Sequence, residues 1–566
     1  MGFPSTRQAN SWLSGKKRFF SPRARGIIVI PAQAEISFRS IQTKMPSVTE
    51  IHGGRRAIWG LCLLLGVALL GWVVGQWIVA GQTTTLMLSA LGVIVAVVSV
   101  NILNDWRFGV YLSIGWLLFE DLARKYLGNN MAIFFAKDFL IGVTYVAFLF
   151  AVRRRKATSF HFPFLAALLP FFLIGIVQIF NANSPGLLYG IVGAKLYFYY
   201  IPLLFVGYAL VRSEEDLRRL LVWNLGLAGV ISLLGIIQAI VGPDFLNPTN
   251  LAPELAQLGR LYRYTPLTGL KILRPDSVFV SDGRFASFLI LMWILGLGST
   301  AFLMARMQRG RRYVLLGITM VAGAIVLSGA RGTLVWSVVT GLFLASAFLR
   351  GGTEWQRAGM RRLFRASRGA LVAVGIGLLA LYYFYPEAVG ARLNFYSETL
   401  SPESPAYEAG NRMWNYPASE FLKAFDSGDW LLGHGTGTAS LSTAYVGRLT
   451  GGPSVITGVE SGFGNILLEM GIAGPAFWLI WVVALLVLSW KVVRRLRGTQ
   501  YYSLGFSIWW FAFLLLLPFT FFSIASYQNY ILNAYLWLLV GILYRLPDLV
   551  APTPHSALPA GNAADP

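Results

Sequence analysis

Long apolar runs recur along the whole chain, and most are as long as a helix that crosses a lipid bilayer. Crossing about 30 Å of hydrocarbon takes roughly 20 residues in a helix. The runs cover residues 57–80, 84–104, 107–119, 134–152, 160–180, 186–211, 217–242, 284–305, 313–329, 333–349, 369–385, 466–490, 503–525 and 527–547. The third is short, with a helix lying along the membrane surface as the alternative. We predict an all-α polytopic membrane protein with about fourteen transmembrane helices.

The composition agrees with a membrane protein and argues against two other classes. Charged residues make up 13% of the chain, whereas soluble proteins carry roughly 25%. The net charge of +22 comes from short basic clusters between apolar runs, without an aromatic-interleaved motif, so we expect no nucleic-acid partner. One cysteine, Cys62, and four scattered histidines offer neither an internal disulfide nor a metal site. We therefore expect no metal and no cofactor.

Basic residues fall in alternate loops, which predicts the orientation of the chain. The segments 153–156, 212–219, 306–312, 350–368 and 491–497 are rich in arginine and lysine, whereas 81–84 and 181–186 contain neither. Short cytoplasmic loops carry the excess of such residues. Counting the third run as a span puts every basic loop on the cytoplasmic side of a bacterial inner membrane, with both termini there as well.

This orientation divides the chain into five segments. Residues 1–56 form a basic cytoplasmic segment, of which 1–44 resemble translated intergenic repeat sequence, with Met45 as an alternative start. A membrane domain over 57–385 holds helices 1–11. A long periplasmic loop domain, 386–465, precedes the last three helices in 466–547, and 548–566 form a flexible cytoplasmic tail. A second long loop on the periplasmic side covers 243–283.

Two arginines lie at the non-cytoplasmic ends of apolar runs, against the general charge bias. Arg284 begins one run in "SDGRFASF", and Arg331 lies between two runs in "LSGARGTLVW". Snorkelling or helix capping is the alternative for each one separately. Two such residues beside glycine or serine favour a paired anion site, because the planar guanidinium fork donates two hydrogen bonds to a phosphate.

A lysine interrupts an apolar run and needs a partner or a wet cavity. Lys195 lies well inside "YGIVGAKLYFYYIPLLF", where a basic group costs several kcal/mol unless it is paired or faces water. We expect a functional or a pairing role. The adjacent Lys137 and Asp138 could instead compensate each other.

The glycine-rich segment "LLGHGTGTAS" at 431–440 contains His434, the one histidine of the two long periplasmic loops. It lacks a preceding strand and a following Lys-Ser/Thr, so it is not a Walker motif. Its backbone amides could form an anion-binding nest, with an ordinary glycine-rich turn as the alternative.

The segment "GVESGFGNILLEMGIAG" predicts a polar helix face that leads into the membrane. Ser461, Asn465 and Glu469 recur at a spacing of four, which places them on one stripe of a helix. An intramembrane carboxylate usually faces a wet cavity, so this stripe is expected to line one. Helix capping by Glu460 is the alternative at the entrance.

These motifs, in this order, resemble the O-antigen ligase and polymerase superfamily of bacterial membrane glycosyltransferases. The resemblance rests on "SDGRFASF", "LSGARG", "GNRMW", "LLGHGTGT" and "ESGFGNILLEMGIAG" and covers about 284–480. It implies a C-type glycosyltransferase fold, a periplasmic active site and a glycan donor on undecaprenyl diphosphate. Transfer would be inverting, without metal or nucleotide. Arg284 and Arg331 would hold the diphosphate, and Arg412 matches a further family position.

The residues before the last conserved helix distinguish two branches of this superfamily. Ligases that act on lipid A-core usually have histidine and asparagine there, whereas this chain has Glu460 and Ser461. The "ES" form resembles polymerases of surface polysaccharide, including exopolysaccharide. We therefore expect a polymerase with Glu460 as the base that accepts the acceptor hydroxyl proton and His434 as the next candidate. Lys195, Asn465 and Glu469 are further substrate-binding candidates.

Two alternatives stay open from the sequence. The first is an O-antigen ligase of lipopolysaccharide biosynthesis, which transfers finished glycan to lipid A-core or protein. The second is a membrane transporter, because intramembrane lysine and glutamate also occur in substrate pathways; the chain, however, shows no inverted repeat of the kind many transporters have. Besides the lipid bilayer and the lipid-linked glycan, flippase and chain-length regulator proteins are the partners that a polymerase would imply.

Overall fold

The described part of the chain is mostly helical. The computed structural model describes residues 83–550 apart from 254, 256–257, 307–310, 352–367, 370–371, 373–374, 378, 381, 409 and 453–457. The chain divides into two units, Met1–Leu91 and Gly92–Pro566, and the second contains nearly all of the described residues. Our predictions for 1–56, for the apolar run 57–80 and for the tail beyond 550 lie outside the described residues.

The helices follow one another with short connections, interrupted by two long segments. Within the described residues the α-helices are α1 Thr83–Asn104, α2 Trp106–Leu127, α3 Met131–Arg153, α4 Leu165–Val177, α5 Leu187–Phe198, α6 Leu203–Leu210, α7 Glu214–Val241, α8 Asp282–Arg306, α9 Arg311–Leu327, α10 Arg331–Gly351, α11 Pro386–Leu400, α12 Tyr416–Lys423, α13 Ser442–Thr450, α14 Gly462–Met470, α15 Ala473–Arg495, α16 Tyr502–Leu514, α17 Thr520–Phe522, α18 Ile524–Gln528 and α19 Tyr530–Val550. Strands β1, Tyr262–Tyr264, and β2, Lys271–Leu273, pair antiparallel with Tyr262 opposite Leu273.

Eight helical segments among the described residues are long and apolar enough to cross a membrane. They are Met131–Arg153, Leu187–Leu210, Glu214–Val241, Asp282–Met304, Arg331–Arg350, Ala473–Arg495, Tyr502–Phe522 and Tyr530–Val550. Leu91–Asn104, Leu165–Phe180 and Arg312–Leu327 are shorter apolar helices. The helical membrane-type architecture is thus as expected, whereas the count of fourteen spans stays a prediction.

The third apolar run differs from its prediction in length. Helix α2 has 22 residues, not the short segment 107–119. The predicted run ended at residue 119 because four charged residues follow, Glu120, Asp121, Arg124 and Lys125. In the structure all four side chains are buried and paired, so the helix continues through them.

The predicted run 466–490 is two helices rather than one. Helix α14 ends at Gly471, whose φ of 66° is left-handed, and α15 begins at Ala473. A Cβ on Gly471 would lie 2.3 Å from the carbonyl oxygen of Leu431. The chain can turn here only because glycine accepts this backbone conformation and this close approach.

The core of the bundle surrounds α19. The apolar stretch of α19 is 89% buried, and the packing of α19 against α6 depends on glycine. A Cβ on Gly207 would lie 2.1 Å from the carbonyl oxygen of Leu538, and one on Gly541 would lie 2.1 Å from that of Leu204. Such reciprocal small-residue contacts let two helix backbones approach closely.

The two long segments, 243–283 and 386–465, pack on each other at one end of the bundle. Arg392 of α11 donates to the carbonyl oxygens of Leu273 (2.7 Å) and Leu327 (2.8 Å). The Glu398 carboxylate accepts from the amide of Leu267 (2.8 Å) in the hairpin turn. Helices α8 and α10 begin at this end, and because a helix rises about 1.5 Å per residue, their basic C-terminal ends lie at the opposite end.

Candidate functional site

Two cavities meet at the first residue of α10. One has a volume of about 370 Å³ and the other about 340 Å³. Four residues line both of them: Arg331, Gly332, Trp336 and Phe522. We call the two joined cavities the arginine groove.

The groove combines an apolar wall with several guanidinium groups. Its described apolar lining includes Ile290, Leu291, Trp336, Phe395, Phe511, Phe519 and Phe522. Arg263, Arg274 and Arg331 line the larger cavity, and Arg412 lines the smaller one. Apolar surface beside guanidinium groups suits an anionic headgroup on a hydrocarbon chain, because guanidinium binds phosphate and the wall shelters apolar carbon.

Arg331 occupies the boundary of the two cavities because of the turn before α10. Gly329 has a φ of 65°, and the Ser328 hydroxyl accepts the amide of Ala330. The Arg331 guanidinium lies 2.9 Å from the carboxylate of Glu408 and 5.0 Å from the ring centroid of Phe395. Its side chain stays 27% exposed, so it remains accessible from the groove.

Arg274 and Arg263 were not among the residues selected from the sequence. Arg274 follows β2 and pairs with Asp282 at 2.9 Å; burial lowers the pKa of its guanidinium. Arg263 lies on β1 and is exposed. Both belong to a long loop predicted as non-cytoplasmic, where basic residues go against the charge bias. The same signal selected Arg284 and could have selected them.

Arg284 is held elsewhere, away from the described lining of the groove. Its guanidinium donates to both carboxylate oxygens of Asp121, at 2.8 and 2.7 Å, and to the Tyr445 hydroxyl at 3.2 Å. The arginines that line the larger cavity with Arg331 are thus Arg274 and Arg263, not Arg284. Whether Arg284 also binds substrate stays a prediction.

Lys195 belongs to a set of charged residues between α2, α3, α5 and α8. It pairs with Asp138, whereas Lys137 pairs with Glu120 at 3.0 Å. Lys137 and Asp138 therefore form their ion pairs with residues of other helices, and not with each other. Adjacent helical residues point in different directions, so each finds its partner on another helix.

Glu460 lines neither of the two cavities, but it contacts side chains that lead to the smaller one. Its amide donates to the Glu420 carboxylate at 3.1 Å, and a hydrogen bond with Glu460 raises the pKa of the Tyr416 phenol. The Tyr416 ring lies 4.8 Å from the guanidinium of Arg412. Glu460 is thus linked to the groove through Tyr416 and Arg412, and its own residue is exposed.

Asn465 and Ser461 fix the backbone on which Glu460 sits. The Asn465 side chain accepts from the amide of Val459 (3.1 Å) and donates to its carbonyl (2.8 Å). The N-cap of α14 is Ser461, whose hydroxyl accepts from Gly464, and not Glu460. Neither Asn465 nor Ser461 is among the described lining of the groove, so the polar stripe does not form its wall.

The glycine-rich segment does form a nest, but a carboxylate of the chain itself fills it. Glu469 is fully buried and accepts the amide of Ala439 at 3.1 Å, with the Gly437 amide and the Ser440 hydroxyl also facing it. Gly433, Gly435 and Gly437 all have positive φ. The segment packs tightly, since a Cβ on Gly437 would lie 2.2 Å from the Tyr189 carbonyl oxygen.

His434 lies on this segment, apart from Glu460. Its Nε2 is 2.8 Å from the Ser427 hydroxyl, its Nδ1 is 3.7 Å from Asp429, and its amide donates to the Leu468 carbonyl at 2.7 Å. These contacts are all local or to α14. Among the described residues no group of three or more histidine, cysteine, aspartate or glutamate side chains could hold a metal ion.

Comparison with known proteins adds no relative. No family model matches the chain, and no curated protein matches it significantly.

Proposed function

We propose that this chain is a membrane glycosyltransferase that polymerises oligosaccharide repeat units carried on undecaprenyl diphosphate. The arginine groove is the observation that supports this most. It offers guanidinium groups for a diphosphate next to aromatic and aliphatic side chains for a prenyl chain. The order of motifs from residue 284 to 480 points to the same superfamily.

The proposed reaction is an inverting transfer that needs no redox change. The acceptor hydroxyl oxygen forms a bond to the anomeric carbon of the donor sugar, and the bond from that carbon to the lipid diphosphate breaks. The hydroxyl proton goes to a carboxylate, and the diphosphate leaves with the bonding electrons. Arg331, with Arg274 and Arg263, would stabilise the charge that develops on the diphosphate.

Glu460 remains the proposed base, with His434 as the next candidate. Glu460 is exposed and is linked to the smaller cavity through Tyr416 and Arg412, so an acceptor sugar that extends from that cavity would approach it. His434 is bonded to Ser427 and to its own segment. The proximity of Glu460 to Arg412, through Tyr416, favours Glu460 over His434.

We propose that the groove faces the periplasm of a bacterium, with both termini in the cytoplasm. The supporting observation is that the basic loops follow Arg306 and Gly351, whereas the groove lies where α8 and α10 begin. A cysteine at exposed Glu403, in a Cys62→Ala background, should then react with an impermeant thiol reagent added to spheroplasts. A lack of reaction while a cysteine at Arg154 reacts would reverse the orientation.

The experiment that tests the function is deletion of the gene followed by sizing of the glycans on the lipid carrier. Loss of a polymerase leaves single repeat units on undecaprenyl diphosphate, whereas loss of a ligase leaves long chains on it. We expect single units, because Glu460 and Ser461 replace histidine and asparagine. Glu460→Gln should reproduce the deletion, since an amide cannot accept the proton at neutral pH.

Each outcome has a definite meaning. Long chains stranded on the carrier would replace the polymerase by a ligase. Normal polymer in the deletion strain would refute both, and with them the glycosyltransferase proposal. Normal polymer from Glu460→Gln alone would move the base to another residue.

A further inference from the structure

One carboxylate lines the arginine groove. Among the described lining residues of both cavities, Glu408 is the acidic side chain and every other charged one is an arginine. Asp282 pairs with Arg274 but is not part of the lining. Glu408 is therefore the negative group that a bound anion would meet.

Glu408 lies between two arginines. One carboxylate oxygen, Oε2, lies 2.9 Å from Nη1 of Arg331 and 3.9 Å from Nε of Arg412. Its backbone is fixed, because its amide donates to the Thr399 carbonyl at 3.2 Å and its carbonyl accepts the Arg412 amide at 2.9 Å. The side chain is 43% exposed, and the same carboxylate oxygen lies within ion-pair distance of both guanidinium groups.

A carboxylate and a phosphate compete for the same donors of a guanidinium. Both present two oxygens to the planar fork of arginine. While Glu408 lies on Arg331, it occupies part of the surface with which Arg331 would bind an anionic ligand. Arg412, four residues further along the chain, offers the displaced carboxylate a second partner.

We propose that Glu408 is an internal counter-ion of Arg331, which a prenyl diphosphate displaces when it enters the groove, and that the carboxylate then pairs with Arg412. The proposal rests on the proposed function for the chemical class of the ligand. In the empty groove the counter-ion neutralises Arg331 beside an apolar wall. On binding, the same carboxylate moves toward the smaller cavity and leaves the fork of Arg331 to the diphosphate.

This exchange is feasible because the pair of Arg331 and Glu408 is partly exposed to solvent. Solvent-accessible ion pairs contribute little to stability, so a divalent or trivalent anion can displace Glu408 at little cost. Removing the carboxylate should therefore increase the affinity for a diphosphate by a modest factor. It should not create affinity where Arg331 is absent.

The test measures binding of farnesyl diphosphate to the full-length protein in lipid nanodiscs by isothermal titration calorimetry. Glu408→Gln should bind about three- to fivefold more tightly than the wild-type protein. Glu403→Gln is the matched control, because it removes one negative charge from an exposed position five residues earlier in the same segment. It should change the affinity by less than about 1.5-fold.

Three further arms make the result specific. In an Arg331→Ala background, Glu408→Gln should have no effect on affinity, because the carboxylate then has no Arg331 guanidinium to release to the diphosphate. Inorganic diphosphate should show the same order of variants with weaker binding, which separates the headgroup from the prenyl chain. Glu408→Asp, whose carboxylate is shorter by one methylene, should also bind more tightly than wild type and serves if Glu408→Gln does not fold.

The outcomes separate this inference from the proposed function. Equal affinities of wild type, Glu408→Gln and Glu408→Asp would overturn the counter-ion role, whatever the enzyme makes. Equal tightening by Glu403→Gln would also overturn it, since the effect would be one of general charge. If the variants behave as expected but the deletion strain makes normal polymer, the counter-ion role stands and the glycosyltransferase proposal fails.

Discussion

Two arginine–carboxylate pairs in this molecule have similar distances and opposite surroundings. Arg331 and Glu408 are 2.9 Å apart, with side chains 27% and 43% exposed. Arg284 and Asp121 are 2.7 Å apart, with side chains 18% and 0% exposed. Asp121 also accepts from Arg124 at 3.2 Å and from the Val280 amide at 3.2 Å, whereas the described contacts of the Glu408 carboxylate are to arginines alone.

The difference shows that the burial of an ion pair, and not its presence, distinguishes an arginine that stabilises the fold from one that is accessible to a ligand. Losing one partner of a buried pair leaves an uncompensated charge and is strongly destabilising. Losing one partner of an exposed pair costs little, because water replaces it. The two arginines look alike in the sequence, yet one is bound to a fully buried carboxylate and the other lines a cavity.

The largest effect is expected from a substitution that breaks the buried pair of Arg284 and Asp121. Asp121→Asn keeps the shape of the side chain but removes the charge that pairs with both Arg284 and Arg124. We expect a loss of about 3–5 kcal/mol of stability, seen as a large drop in the yield and in the apparent melting temperature of the purified protein. Glu403→Gln, an exposed carboxylate of another segment, should behave as wild type. A normal melting temperature for Asp121→Asn would show that burial does not distinguish the pairs.

The next largest effect is expected from substitution of Arg331, the accessible arginine. Arg331→Ala should retain the wild-type melting temperature but lower glycan synthesis about 100-fold, and Arg331→Lys about tenfold, because lysine keeps the charge and loses the planar fork. The measurement is polymer made per folded protein, with Arg154→Ala on a basic loop as the control. Full synthesis by Arg331→Ala protein would remove this residue from the site.

The smallest effect is expected at the pair of Lys195 and Asp138, whose exposure is intermediate. Lys195 and Asp138 are 19% and 14% exposed, between the two extremes. Asp138→Asn should lower the stability by about 1–2 kcal/mol, less than Asp121→Asn, and reduce activity only through the amount of folded protein. Activity per folded molecule below about a tenth of wild type would instead make Lys195 a substrate-binding residue. Thr144→Val, a buried polar substitution on the same helix, controls for packing.

Much of the architecture followed from the apolar runs. Helices such as Met131–Arg153 and Asp282–Arg306 coincide closely with runs predicted at 134–152 and 284–305, because a long apolar segment in lipid must satisfy its backbone hydrogen bonds internally. Helix α2 was underestimated, since a one-dimensional pattern ends at charged residues and cannot show that Glu120 pairs with Lys137 on α3. The break at Gly471 was missed because its cause is the approach of Leu431 from a distant segment.

The candidate site divides in the same way. Arg331, Arg412 and Glu460 were selected from their motifs; Arg331 and Arg412 line one groove, and Glu460 is linked to it through Tyr416. Arg274 and Arg263 were not selected, although they line it, because only the packing of the β-hairpin brings them there. The sequence left the glycine segment open as a nest for a ligand or an ordinary turn; in the structure the amides of Gly437 and Ala439 face Glu469, which no spacing rule indicates.

The sequence by itself determined that the described chain is mostly helical, with apolar helices of bilayer length and arginines at their less basic ends. Those properties depend on composition and on local order along the chain. The tertiary structure decided which arginine meets a buried aspartate and which meets open space. That choice depends on contacts between residues far apart in the chain, as between Arg284 and Asp121 (163 positions), and no local pattern records them.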